Sequence, residues 1–373
     1  MSMTSRQRLI TAFHKGKPDR LPIFIRGVNV LNERWVKSQH PSYGPLIDYV
    51  REKTDPVVFW GAGWGYGLSA TPAEAVTRRV LKEDAEWQEV ETRLDTPLGP
   101  LTQLYRHSKL GKPGFTTKHF LCEPEDAERL LSLPYRPIEP DLEAYRALVG
   151  EVGERGLVLP LLGGAMMWLH EIIDSETLAL WSVMHRQVVH QLLEAFNERV
   201  LELMGKLLTG GCGPVIGSIG QELATPPLLP PRDFEEFVVE YDRPVFDLIH
   251  RHRATVHIHC HGRLRQVLDG FLRAGADSLN PVEAPPLGDI TLREFRERVG
   301  LHIAVKGNIQ IGDIYRGRPE DITRQVREGF AAAGREGAFI LAPTASPFWP
   351  ELPQRALVNY RAMIDAGHEC GVY

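Results

Sequence analysis

Val256-His257-Ile258-His259-Cys260-His261-Gly262 sets three histidines at every second position of a short apolar run. Successive side chains on a strand point to opposite faces, so His257, His259 and His261 share one face, and Ile258 and Cys260 the other. Gly262 then leads into Arg263-Leu264-Arg265-Gln266-Val267-Leu268, which has helical spacing. A buried strand running into a helix is the building unit of a parallel α/β sheet. Three imidazoles near the carboxyl end of such a strand read as a site.

Working outward, the same unit recurs on both sides. Apolar runs stand at Leu157 to Leu162, Val215 to Ile219, Asp277 to Val282, His302 to Val305 and Ala338 to Leu341. Helical segments separate them, at roughly 175–209, 231–252, 263–274, 289–299, 319–334 and 353–366. Two earlier strands are expected at Pro22-Ile23-Phe24-Ile25-Arg26-Gly27 and Asp55-Pro56-Val57-Val58-Phe59-Trp60, which makes eight. The expected fold is therefore an α/β (β/α)8 barrel of the TIM type, spanning 1–373 as one domain. An open doubly wound sheet is the rival, but no dinucleotide glycine fingerprint follows an early strand. Residues 77–110 change character: extended runs flank Thr96-Pro97-Leu98-Gly99-Pro100, which predicts an inserted antiparallel hairpin.

Composition narrows the function. The chain has 373 residues, 43% hydrophobic and 24% charged, as in ordinary globular enzymes. A net charge of −5 argues against nucleic acid as a partner, because its binders present a basic face. No apolar run reaches the roughly 18 residues of a membrane span, and no secretory signal is read at Met1 to Lys17. Cys122, Cys212, Cys260 and Cys370 lie far apart without a CxxC pair, which favours a reducing cytoplasm.

A barrel places its chemistry at the carboxyl ends of its strands. Those ends carry Arg26, Trp60, Trp168, Glu222, His259, His261, Glu283, Lys306 and Asn308. Glu222, the histidines and Glu283 end three neighbouring strands, so their side chains are expected to converge. Zinc or another divalent ion held by His259, His261 and either Glu222 or Glu283 is the reading drawn from them. The other glutamate then serves as an outer partner or catalytic group. Hydrogen-bonded barrel histidines with no ion are the alternative. His257, about 7 Å deeper along the strand, reads as a core or outer-shell group, and Cys260 as a buried thiol. Arg26 is placed as a carboxylate or phosphate clamp with a catalytic part, against an ordinary ion pair at the rim. Trp60, Tyr66, Trp168, Lys306 and Asn308 complete the expected substrate contacts. Tyr66 stands in Gly61-Ala62-Gly63-Trp64-Gly65-Tyr66-Gly67, which reads as aromatic packing or as a substrate loop.

Several stretches together resemble the uroporphyrinogen decarboxylase superfamily. They are Thr4-Ser5-Arg6-Gln7-Arg8-Leu9, Pro18-Asp19-Arg20-Leu21-Pro22, Leu228-Leu229-Pro230-Pro231-Arg232-Asp233-Phe234, the histidine strand and Asn280-Pro281-Val282-Glu283. The resemblance covers nearly the whole chain and implies a (β/α)8 barrel. The superfamily includes the decarboxylases and the cobalamin-dependent methyltransferases, which move methyl groups between corrinoid proteins and thiols such as coenzyme M. The decarboxylases carry a second arginine after the first strand, where Gly27-Val28-Asn29-Val30 has none. They also carry an aspartate after the second strand, absent from Trp60-Gly61-Ala62-Gly63. The methyltransferase branch binds zinc on His-x-Cys at the fifth strand and on a late cysteine. Here His259 matches that histidine, His261 replaces the cysteine, and Ala345 stands near the late one. The resemblance thus implies a methyltransferase with a nitrogen- and oxygen-rich metal site, a small-molecule substrate and a corrinoid carrier protein, with a homodimer compatible. A decarboxylase of uroporphyrinogen or a related acid is the alternative, and a non-catalytic small-ligand or corrinoid-binding protein the second.

Overall fold

The computed structural model describes residues 2–61 and 70–373. Its strands in chain order are β1 (Val57–Gly61), β2 (Val76–Glu83), β3 (Trp87–Leu94), β4 (Leu101–Ser108), β5 (Phe115–Lys118) and β6 (Leu157–Gly163). They continue with β7 (Val215–Ile219), β8 (Thr255–His259), β9 (Ser278–Asn280), β10 (Ala304–Ile309) and β11 (Phe339–Pro343). Seven of them form a curled parallel sheet in the order β1-β6-β7-β8-β9-β10-β11. All residues of β6, β7 and β11 are buried, as expected of strands covered on both faces. Helices such as Arg186–Thr209, Glu240–Arg251 and Gln354–Cys370 supply the outer cover.

The first expected strand is reduced to a short bridge. Ile23 pairs with Leu341 as a single parallel bridge rather than a ladder. Phe24 N donates to Leu341 O at 2.8 Å, Leu341 N to Pro22 O at 2.9 Å, and Asp55 N to Ile23 O at 2.7 Å. Residues 22–24 therefore touch both β11 and the approach to β1. Pro22 has no N–H to donate, and Gly27 turns the chain at a φ of +78°, so a longer ladder is cut off at both ends.

A small apolar cluster lies inside the curl. Leu9, Ala12 and Phe13 of the helix Ser5–Phe13 join Val57, Leu157 and Val215, the first residues of β1, β6 and β7. That helix therefore covers the amino ends of the strands. Its start is fixed by a capping box between Thr4 and Gln7. Ions lock it in place: Arg8 pairs with Asp19 at 2.7 Å and with Asp55 at 2.6 Å, and Arg20 pairs with Asp55 at 2.8 Å. Asp55 also accepts from Ile23 N at 3.1 Å, so one buried carboxylate ties the helix, the bridge and β1 together.

The expected hairpin near 77–110 is larger than two strands. It is an antiparallel sheet in the order β2-β3-β4-β5, extending to Lys118. Leu94 and Leu101 anchor it in the core, while β2 lies exposed along most of its length. Among the described residues, no helix is long and apolar enough to cross a membrane.

Candidate active site

β8 delivers the first two histidines on one face because they stand two residues apart. His257 lies deeper, with its ring 5.0 Å from that of Phe13, and its Nδ1 meets Ser278 Oγ at 2.8 Å. His259 sits nearer the mouth and places Nδ1 2.9 Å from Asn280 Oδ1 and 3.1 Å from Asn280 O. Asn280 Nδ2 donates to Lys306 O at 2.6 Å, which identifies Oδ1 as an acceptor. His259 must then donate from Nδ1 and carry its lone pair on Nε2. Burial, followed by the charge of Arg26, pushes this imidazole down to about 2, so it is neutral at ordinary pH.

His261 lies two residues past the end of β8 and turns to the rim, its side chain 40% exposed. Its ring is nearly perpendicular to that of His259, with centroids 4.8 Å apart. His261 Nδ1 meets Glu283 Oε2 at 2.9 Å, and the Glu283 carboxylate is buried. A carboxylate only accepts, so His261 donates from Nδ1 and turns Nε2 away from it. This is a carboxylate-oriented imidazole, the arrangement of a general base.

Arg26 projects into the same region. It lies over the Phe59 ring at 5.7 Å and makes one long contact, 3.4 Å, to Asn280 Oδ1. Burial lowers its pKa and the charge of Glu222 raises it, which identifies Glu222 as its counter-charge. The Glu222 carboxylate itself accepts from Gly220 N at 3.2 Å. Lys306, on β10, is fully enclosed: Nζ stands 5.3 Å from the Phe24 centroid and 5.5 Å from that of Phe59. Burial, then Arg26, pushes its amine well below the usual lysine range.

The fold thus gathers Arg26, His259, His261, Glu283 and Lys306, with Glu222 beside Arg26. Three other expected contacts are corrected. Trp60 faces the helical layer, its ring 5.0 Å from Tyr145, because alternation along β1 turns Phe59 inward instead. Trp168 is wholly buried against Phe196 at 5.9 Å, as part of the core under the helix Arg186–Thr209. Asn308 has its amide bound to the backbone of Val282 through both atoms, so it ties β10 to the loop after β9. Tyr66 lies outside the described residues. Phe59 and Asn280 were missed as site residues. Strand alternation could have found Phe59, but nothing in the sequence marks Asn280 as the partner of His259.

The expected three-ligand metal set is not assembled. Among the described residues, no three His, Cys, Asp or Glu side chains stand where they could hold an ion. Glu283 holds Nδ1 of His261 as an outer partner would, and Asn280 does the same for His259, so two Nε2 atoms stay open but no third ligand joins them among the described residues.

Comparison with known proteins gives consistent neighbours. The family model for uroporphyrinogen decarboxylase (URO-D) matches residues 106–370. Uroporphyrinogen decarboxylase 2, chloroplastic, from Arabidopsis thaliana is 25% identical over 201 residues, 52% of this chain and 48% of that protein. The chain thus matches about half the length of this curated relative. Among solved structures, a methyltransferase from Methanosarcina mazei superposes with a TM-score of 0.64 at 16% identity, covering 99% of each chain. At that identity the likeness concerns the fold alone.

Proposed function

The chain belongs to the uroporphyrinogen decarboxylase family, and we propose that it is an enzyme of that family that transfers a methyl group to a small acid acceptor. One observation carries this reading: the His261–Glu283 pair, joined at 2.9 Å beyond the carboxyl end of β8, with Arg26 in the same mouth. The acceptor, a thiol or hydroxyl bearing a carboxylate, binds Arg26 through that carboxylate. His261 Nε2 takes the acceptor's proton as its sulfur or oxygen forms the new bond to the methyl carbon. Glu283 stabilises the imidazolium so formed. A corrinoid on a carrier protein would supply the electrophilic methyl group and keep the electron pair of the broken bond. Leu228, Leu287, Phe348 and Trp349, exposed in loops that follow the carboxyl ends of β7, β9 and β11, offer an apolar rim for such a carrier. In the same reading, residues 22–24 are the eighth stave of a (β/α)8 barrel, and the free cysteines suit a cytoplasmic setting.

Decarboxylation is the second reading, favoured by the family description and by the Arabidopsis relative. Against it stands Arg26, the lone arginine of the site among the described residues and already facing Glu222, where a substrate with many carboxylates needs several cations. Methyl transfer from methylcobalamin to small thiol acids, run beside carbon dioxide release from uroporphyrinogen, separates the two. Transfer should fall about 10²–10⁴-fold in His261→Ala, with Glu283→Gln impaired in the same direction. Carbon dioxide release from uroporphyrinogen with no methyl transfer would reverse the assignment.

A further inference from the structure

Below His259 the interior of the curled sheet contains donors with nothing to bind. Lys306 is 1% exposed, and its Nζ has no hydrogen-bond partner among the described residues. His257 is 2% exposed, and its Nε2 is equally unpartnered. Because a serine hydroxyl can donate to His257 Nδ1, Nε2 is free to carry the proton. Among the described residues Arg26 spends one of its five N–H groups on a long contact to Asn280 and leaves the rest. The walls around Lys306 are the rings of Phe24 and Phe59, which exclude water and offer no lone pair. The charges of Lys306 and Arg26 both act on His257, so the orphans are neighbours, and since buried donors nearly always have acceptors they point to a missing one.

We propose that this interior is a binding site for one compact carboxylate, held by Arg26 at its upper end and by Lys306 Nζ and His257 Nε2 below. The proposal rests on the acid acceptor of the preceding reading and specifies where its acid group lies: down the axis of the sheet, past His259, rather than at the rim. A carboxylate has two coplanar oxygens, which suit the planar guanidinium and leave lone pairs for the two lower donors. Arg26 is the single fixed positive charge in this group and is already partly offset by Glu222, which suits a singly charged ligand better than a phosphate. An acceptor whose acid arm reaches from the rim past His259 fits, whereas a bulky polycarboxylate cannot bring its other acids to any partner there.

The test uses the full chain and acetate as probe, titrated by calorimetry at constant ionic strength, with acetamide as the neutral isostere and inorganic phosphate as a third arm. Acetate should bind and raise the melting temperature, and acetamide should do neither. Lys306→Met and His257→Phe should each weaken acetate by roughly tenfold or more, the size of a lost hydrogen bond to a charged group. The melting temperature of unliganded Lys306→Met should not fall, which separates lost binding from lost folding. Undiminished acetate binding in both variants, equal binding of acetamide, or a preference for phosphate would overturn the proposal. Because no methyl donor is present, a failed methyl-transfer assay beside a positive acetate titration would sink the assigned reaction and leave this site standing.

Discussion

Lys306 shows what one residue can cost a fold. Its amine is buried without a hydrogen-bond partner among the described residues, and such a group costs on the order of 1–3 kcal/mol. Burial and Arg26 lower its pKa, so the unfolded chain, where lysine titrates normally, binds more protons across the window below 10.5. Stability should therefore rise with pH towards 10.5 on account of this residue. Lys306→Met should stabilise the unliganded protein at pH 7 by about 1–3 kcal/mol, with the gain shrinking as the pH climbs. Urea unfolding of both proteins at neutral and alkaline pH measures it; a less stable variant at pH 7 would show that the amine has a partner after all. Retention of so costly a side chain is understandable if a ligand completes it.

At the scale of elements, the lock around Asp55 joins pieces that are far apart in sequence. Arg8 brings the helix Ser5–Phe13, Arg20 brings the bridge at Ile23, and Asp55 itself introduces β1. Removing one member of a buried ionic network strands the others, at about 3–5 kcal/mol. Asp55→Ala should be destabilised by that amount in denaturant unfolding. Leucine at Arg8 combined with asparagine at Asp55 should cost less than Asp55→Ala alone. Asp19 adds an acid dependence. Burial works to raise its pKa, but the hydrogen bonds from Arg8 and from backbone N–H groups hold it at about 2. A depressed carboxylate contributes stability above its unfolded value near 3.8 and loses it as the pH falls towards 2. Asp19→Asn should therefore flatten the acid limb of the stability profile within that window.

Across the whole molecule, burial is uneven in a way that exchange can read. β6 and β7 are buried at every position, whereas β2 is an exposed edge of the smaller sheet. Amides of β6 and β7 should exchange only on global unfolding, and those of β2 by local opening. Equal protection of β2 in solution would mean that a partner covers that edge. The mouth joins the two scales, since the parallel sheet points its carboxyl ends, and with them Arg26 and His259, to one region.

The apolar runs and their alternation with helices were enough to specify a parallel α/β sheet, because a strand buried on both faces must be apolar nearly throughout. His-x-His alternation likewise placed His257 and His259 on one face without any coordinates. Pairing between distant residues was not legible there. That Glu283 bonds the ring of His261, that Asn280 fixes the tautomer of His259, and that Trp168 turns into the core depend on rotamers set by neighbours from other strands and helices. Side-chain direction past a strand's last residue follows loop geometry rather than a period of two. The spacing could therefore offer carboxylates and imidazoles as ligands of a common ion, and only packing could turn them into a bonded pair.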